Sequence, residues 1–248
     1  MLTDYKINHA IWAIVPAAGI GKRMQSDIPK QYLPLNGRPV IEHTINALLK
    51  NQYIAGLVIA LQHDDGYWPD IKITSKKPVI RAAGGAERAD SVLNALHKLF
   101  LHEPFNEDTD WVMVHDAVRP CLRQRDIDKL VVEVDADNNG GLLALPVRDT
   151  MKRQNADYSL VNTVAETVER ANLWHALTPQ YFPAKSLKNA LESAQQNEQT
   201  ITDESSAMEL VGYSPRLVQG CEDNIKITRP DDLRIASLYL QAQDAKDE

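Results

Sequence analysis

Positive charge is what this sequence most lacks. Its 27 lysines and arginines face 34 aspartates and glutamates, a formal net charge of -7 over 248 residues. Nucleic acids and anionic membranes are bound by clustered basic residues, so neither is expected as a partner. Cysteine is nearly absent: Cys121 and Cys221 are the only two and form no CxxC pair. Two buried free thiols in a reducing, cytoplasmic setting are the expected state. Aromatic residues make up 6% of the chain, so a core drawn from the 44% hydrophobic residues is chiefly aliphatic. No apolar run approaches the roughly 20 residues of a membrane span. The opening MLTDYKINHAIWAIV carries an early acid and no long apolar segment, unlike a secretory signal. Standard glycine fingerprints are missing as well. In AIVPAAGIGKRMQSDIPK, a Walker A reading around Gly21 and Lys22 puts Pro16 at the first glycine and Arg23 at the metal-binding hydroxyl. A dinucleotide reading accepts Gly19 and Gly21 but meets Met24 at the third small position.

What is present is a β-α-β-α rhythm. IWAIVPA (11–17), GLVIALQ (56–62), WVMVHD (111–116) and GLLALPV (141–147) are near-continuously apolar, as strands covered on both faces are. Between them, 40–51, 88–100 and 126–137 carry helical patterning, with Val92, Leu93, Leu96, Leu99 and Phe100 in one stripe. This predicts an α/β fold: a Rossmann-like, mostly parallel sheet with helices on both faces. Ligands in such sheets bind beyond the carboxyl ends of strands, which directs attention to the turns after residues 17, 62, 83 and 116. The rhythm breaks at 147. The stretch VRDTMKRQNADYSLVNTVAETVER alternates polar and apolar residues and predicts a projecting β-arm at about 147–172 on a single domain spanning 1–248. A lone two-stranded arm is marginal, so it is expected to pack on a partner chain. Helices are predicted over 183–198, 203–212 and 230–245, and late strands at PRLVQG and NIKIT (224–228).

The first strand runs into a small-residue turn followed by cations. Ala17, Ala18 and Gly19 allow close backbone approach, with N–H groups able to face phosphate oxygens. Lys22, Arg23 and Lys30 follow. Cations gathered around such a loop in an acidic chain point to an anionic ligand. The segment PAAGIGKRMQSDIPKQY resembles the signature loop of nucleotidyltransferases that make sugar and polyol nucleotides. GGAERADSVLNAL (84–96), VHDAVRPC (114–121), PVRDTMKR (146–153), LWHALTPQ (173–180), TITDESSAMEL (200–210) and DNIKITRPDDL (223–233) follow in order. Together they resemble the 2-C-methyl-D-erythritol 4-phosphate cytidylyltransferase family of the non-mevalonate isoprenoid pathway, from about residue 11 to residue 240.

The resemblance implies transfer of a cytidylyl group from CTP to methylerythritol phosphate. A substrate phosphate oxygen attacks the α-phosphorus in line, and no side-chain nucleophile is needed. It implies that Arg23, Lys30 and Lys226 are catalytic cations. Pro16, Ala17, Ala18, Gly19, Gly21, Gly84, Gly85, Ala86 and Ser91 are implied to hold CTP. Ala86 stands where related enzymes often carry Asp, so cytosine reading is left to backbone groups exposed by the glycine pair. Asp116, Arg119, Thr150, Arg170 and Thr202 are implied to bind the second substrate. Ser91 also fits a first helical turn, and Thr202 a helix N-cap. Mg²⁺ or another divalent cation is implied on the triphosphate, with Asp116 as the candidate protein ligand. Arg170 lies on the arm, which implies a homodimer with shared sites. His115 and His175 show no metal spacing and are expected to pack. A related activity on ribitol 5-phosphate, or on a sugar phosphate with UTP, remains open from the first loop alone.

Overall fold

The computed structural model describes residues 5–19, 24, 28–135, 139–156 and 162–247. In chain order its elements are β1 (Ile11–Pro16), the short β2 (Pro34–Leu35) and β3 (Arg38–Pro39), α1 (Val40–Lys50), β4 (Ile54–Leu61), β5 (Val79–Ala83) and α2 (Arg88–Leu99). Then come β6 (Trp111–Val114), α3 (Gln124–Asp135), β7 (Gly141–Pro146), β8 (Met151–Gln154), β9 (Val164–Val168) and β10 (Trp174–Pro183). The chain continues through α4 (Ala184–Gln196), α5 (Glu204–Leu210), β11 (Arg216–Gln219) and α6 (Pro230–Asp247).

Seven strands form one sheet in the order β11-β7-β10-β6-β1-β4-β5. β1 pairs in parallel with β4 and β6, and β4 with β5. β10 runs antiparallel to both β6 and β7. Side chains of β1 alternate between faces with the period of a strand. Ile11, Ala13 and Val15 join Ile41, Ile45 and Leu48 of α1 and Ile127, Leu130 and Val134 of α3 in one apolar layer. Trp12 and Ile14 join Val92, Leu96 and Leu99 of α2 and Leu187 and Leu191 of α4 in the other. A third, smaller cluster, with Val118, Ile227 and Ala236, seats α6. The predicted α/β sandwich is therefore present, and β8 and β9 form a separate antiparallel pair, as expected for the arm.

Four local expectations are corrected. NIKIT is not a strand: Ile225 N–H turns back to the Asp223 carbonyl and Ile227 N–H reaches the Val118 carbonyl. Residues 174–183, without a strand assignment from sequence, form the long antiparallel β10. Cys121 is buried but Cys221 is only half-buried. His115 is buried as expected, whereas His175 is exposed.

Candidate active site

From β1 the chain builds β4 and β5 on one side, then crosses to β6 on the other. The crevice beyond the carboxyl ends of β1 and β6 is where open α/β sheets hold ligands. Here Pro16, Ala17, Ala18 and Gly19 line a cavity with Lys30, Gly85, Ala86, Ser91, Asp116 and Lys226. The turns after 17, 83 and 116 thus converge. The turn after 62 serves as a brace instead, since Gln62 Nε2 donates to the Ala18 carbonyl at 2.8 Å. Gln31, buried beneath the loop, donates to the Ala17 carbonyl at 2.8 Å. Gly21 and Arg23, and Lys22 beside them, lie outside the described residues.

The glycine pair is needed for packing of loop on loop. A Cβ on Gly84 would sit 2.2 Å from the Cβ of Ala18, and one on Gly85 2.2 Å from that of Asp90. Their N–H groups are engaged within the chain: Gly84 donates to the Leu61 carbonyl at 2.7 Å and Gly85 to Ser91 Oγ at 3.0 Å. Both of these N–H groups therefore hold the loop together. Ser91 is buried and donates onward to the Glu87 carbonyl at 3.2 Å, so its hydroxyl ties the loop to α2. Ala86 is exposed on the cavity wall.

At the end of β6, Asp116 is ringed by cations. Its Oδ1 accepts from Arg88 Nε at 3.0 Å, and its Oδ2 from Lys226 Nζ at 3.0 Å and Arg119 Nε at 3.3 Å. Burial alone would push the carboxyl up. Arg88, Lys226 and Arg119 outweigh it and hold Asp116 well below the usual carboxylate range. Arg88 also grips buried Glu204 with both terminal nitrogens, at 2.6 and 3.1 Å. Burial pulls the Arg88 guanidinium down, but the two carboxylates override it and hold it firmly charged. Arg119 is buried, its Nη1 donating to the Asn224 carbonyl at 2.7 Å.

A hydrogen-bond chain sets the Asp116 backbone. Asp116 N–H donates to Thr178 Oγ1 at 3.1 Å, and the Thr178 hydroxyl donates to His115 Nδ1 at 3.0 Å. His115 Nε2 lies 3.1 Å from the Arg119 carbonyl, which can only accept, so that nitrogen carries the proton. Full burial pushes the imidazole down to about 4.

A second cavity opens on the other side of Asp116, lined by Arg119, Leu177, Thr178, Gln180, Thr202 and Asp203. Arg88, Asp116 and Lys226 line both cavities. Thr202 is exposed there and is not the N-cap. Asp203 holds that position, accepting from Ser206 N–H at 2.9 Å. Thr150 and Arg170 line neither cavity. Both are exposed on the arm, where Arg170 donates to the Arg148 carbonyl and borders a recess with Trp174. Arg88, Glu204 and Thr178 escaped the sequence reading. In ERADS and TDESS a charged residue at a helix start looks like an end-of-helix charge, and only burial reveals the pairing. Among the described residues, no three His, Cys, Asp or Glu side chains gather to cage a metal.

The sequence model described as 2-C-methyl-D-erythritol 4-phosphate cytidylyltransferase matches residues 11–242. A protein of that name from Aliivibrio fischeri (strain MJ11) is 50% identical over 232 residues, 94% of each chain. Another, from Pseudomonas entomophila (strain L48), is 50% identical over 224 residues, 90% of this chain and 93% of the relative. The Francisella tularensis 2-C-methyl-D-erythritol 4-phosphate cytidylyltransferase structure superposes with a TM-score of 0.77 at 33% identity, over 93% of this chain and 99% of that one. A 4-diphosphocytidyl-2C-methyl-D-erythritol synthase structure gives 0.79 at 32% identity, over 94% and 100%. The match takes in the central sheet, the walls of both cavities and most of α6, and the chain belongs to the 2-C-methyl-D-erythritol 4-phosphate cytidylyltransferase family.

Proposed function

We infer that the protein transfers the cytidylyl group of CTP to 2-C-methyl-D-erythritol 4-phosphate, giving 4-diphosphocytidyl-2-C-methylerythritol and pyrophosphate. The observation that carries the chemistry is the wall of Arg88, Asp116 and Lys226 shared by two cavities. A nucleotide in the first and a polyol phosphate in the second meet at that wall. An oxygen of the polyol phosphate attacks the α-phosphorus, the bond to the bridging oxygen breaks, and pyrophosphate leaves with the electron pair. A phosphate monoester is itself a competent nucleophile, so the chain supplies positioning and charge.

Lys30, on the wall of the first cavity, and Arg23 are assigned to the CTP phosphates. The Lys226 side chain is 37% exposed, and it is the cation placed to exchange Asp116 for phosphate oxygens. Asp116 is assigned to the polyol hydroxyls, with Arg119 and Thr202 on the same side. Among the described residues, the donors present do not make a metal cage. A Mg²⁺ carried by the triphosphate fits them, with Asp116 as the one carboxylate common to both cavities, and such an ion neutralises phosphate charge. Thr150 and Arg170 are assigned to the site of a partner copy, reached by the arm of a homodimer. That neither residue lines either of this chain's two cavities supports that reading.

Pyrophosphate release measured with CTP, UTP, ATP and GTP, each crossed with methylerythritol phosphate and ribitol 5-phosphate, tests the assignment. Turnover is expected with CTP and methylerythritol phosphate. Its absence sinks the reading, and equal turnover of ribitol phosphate returns the alternative. The relatives named above carry the methylerythritol reading and not the ribitol or sugar one.

A further inference from the structure

Three cations and two carboxylates meet at the shared wall, and one member of the set touches neither cavity. Glu204 is the first residue of α5, and its side chain is 1% exposed. Both its oxygens are taken by the terminal nitrogens of Arg88, which leaves Arg88 Nε for Asp116 Oδ1. An arginine can bridge two carboxylates in this way because its donors form a rigid planar fork. A lysine, as a point charge, cannot. Glu204 is itself firmly placed. Ser205 N–H donates to Gln180 Oε1 at 2.7 Å, and Gln180 Nε2 donates to Asp203 Oδ2 at 2.8 Å, which docks the start of α5 on β10.

We propose that Glu204 is a positioning residue for the transfer reaction: through Arg88 it fixes the rotation of the Asp116 carboxylate, and with it the place where Lys226 waits. The argument is one of unequal partners. Asp116 Oδ2 has two donors, Arg119 and Lys226, whereas Oδ1 has Arg88. When Arg88 is freed from Glu204, its terminal nitrogens turn toward the cavities it lines, Oδ1 loses its fixed donor, and the carboxylate rotates. Glu204 therefore also keeps Arg88 from competing with Lys226 for phosphate. Nothing about its own location suggests contact with a reacting atom, so its effect travels only through this pairing. The proposal rests on the functional reading above, in which Asp116 is assigned to the polyol hydroxyls.

Steady-state kinetics of Glu204→Gln, with each substrate varied in turn, test it. The amide keeps the size but offers one acceptor where the fork needs two. KM for methylerythritol phosphate is expected to rise, or kcat to fall, so that kcat/KM for that substrate drops roughly 10- to 100-fold, the scale of one charge-assisted hydrogen bond. KM for CTP is expected to stay within about twofold, and in combination with Asp116→Asn the two losses are expected not to add. Unchanged kinetics overturn the proposal. So does a joint weakening of both substrates alongside a fallen Tm, the mark of a role in folding alone. Should Glu204→Gln fail to fold, Arg88→Lys keeps Glu204 and the charge but breaks the bridge. The same split is expected there, and wild-type kinetics in that variant overturn the proposal equally. A wild-type enzyme that fails to turn over the substrate pair strikes at the functional reading, while a normal wild type matched by both variants strikes at the Glu204 pairing alone.

Discussion

The crevice at the end of β6 and the arm formed by β8 and β9 are opposites in construction. Asp116 is buried and each of its oxygens has a cationic partner. His115, Thr178 and Asn224 behind it are buried too, and joined by hydrogen bonds. On the arm every residue of β8 is exposed, and Val164 of β9 is 58% exposed. Its cross-strand pairs, such as Arg153 Nε to Glu166 Oε1 at 2.6 Å, are open to solvent and contribute little. The difference teaches that chemistry needing fixed charge is placed where burial fixes it. The arm, exposed along β8, carries its charged side chains in solvent instead.

The sharpest break of this comparison is Lys30→Ala. With its fold intact, this variant is expected to lose roughly 10²–10³ in kcat, the usual scale for removing a transition-state donor. Turnover near normal would take Lys30 out of the mechanism. Next in size is pH. His115 is neutral, and burial pushes its imidazole down to about 4 from the ordinary 6.5 of a histidine. Below 6.5 the unfolded chain takes up the proton first, so the stability this group supplies is complete above pH 6.5 and is lost as pH falls toward 4. The gap corresponds to roughly 3 kcal/mol. Urea unfolding at pH 7 and pH 4.5 is expected to show a steep loss in the wild type and a shallower one in His115→Gln; parallel curves would refute the assignment. The smallest effect sharpens the arm side. Arg170→Ala is expected to leave Tm nearly unchanged, as surface substitutions usually do. If the arm completes a partner's site, mixing equal amounts of inactive Arg23→Ala and Arg170→Ala chains restores about a quarter of the sites of a symmetric dimer. No recovery after verified subunit exchange counts against shared sites.

Much of the sheet was legible because buried parallel strands are continuous apolar runs: β1, β4, β6 and β7 stand where the sequence put them. β10 was not, because WHALTPQYFP mixes two prolines with polar residues. The structure shows why, since Thr178 and Gln180 turn their side chains into the site's own hydrogen-bond network. NIKIT alternates like a strand for a different reason. Ile227 fills the small core under α6 while Lys226 reaches Asp116, and no ladder is involved. Among the site residues, Lys30, Lys226, Asp116 and Ser91 converge because each sits beside a loop at the carboxyl end of the sheet. The Arg88–Glu204 pair spans 116 positions of sequence, and no local pattern encodes such a contact.

The contact between Gly84 and Ala18 bears on how this protein can vary. A methyl group at 84 has nowhere to go, since it would overlap the Cβ of residue 18, while a methyl at Gly19 would meet no atom of the described residues within 4 Å. Two glycines that look equivalent in the chain therefore differ in mutational freedom. Position 84 is closed to drift and to any engineered library by the residue-18 side chain and, at 3.2 Å, by the Leu61 carbonyl oxygen, whereas position 19 meets no such wall among the described residues.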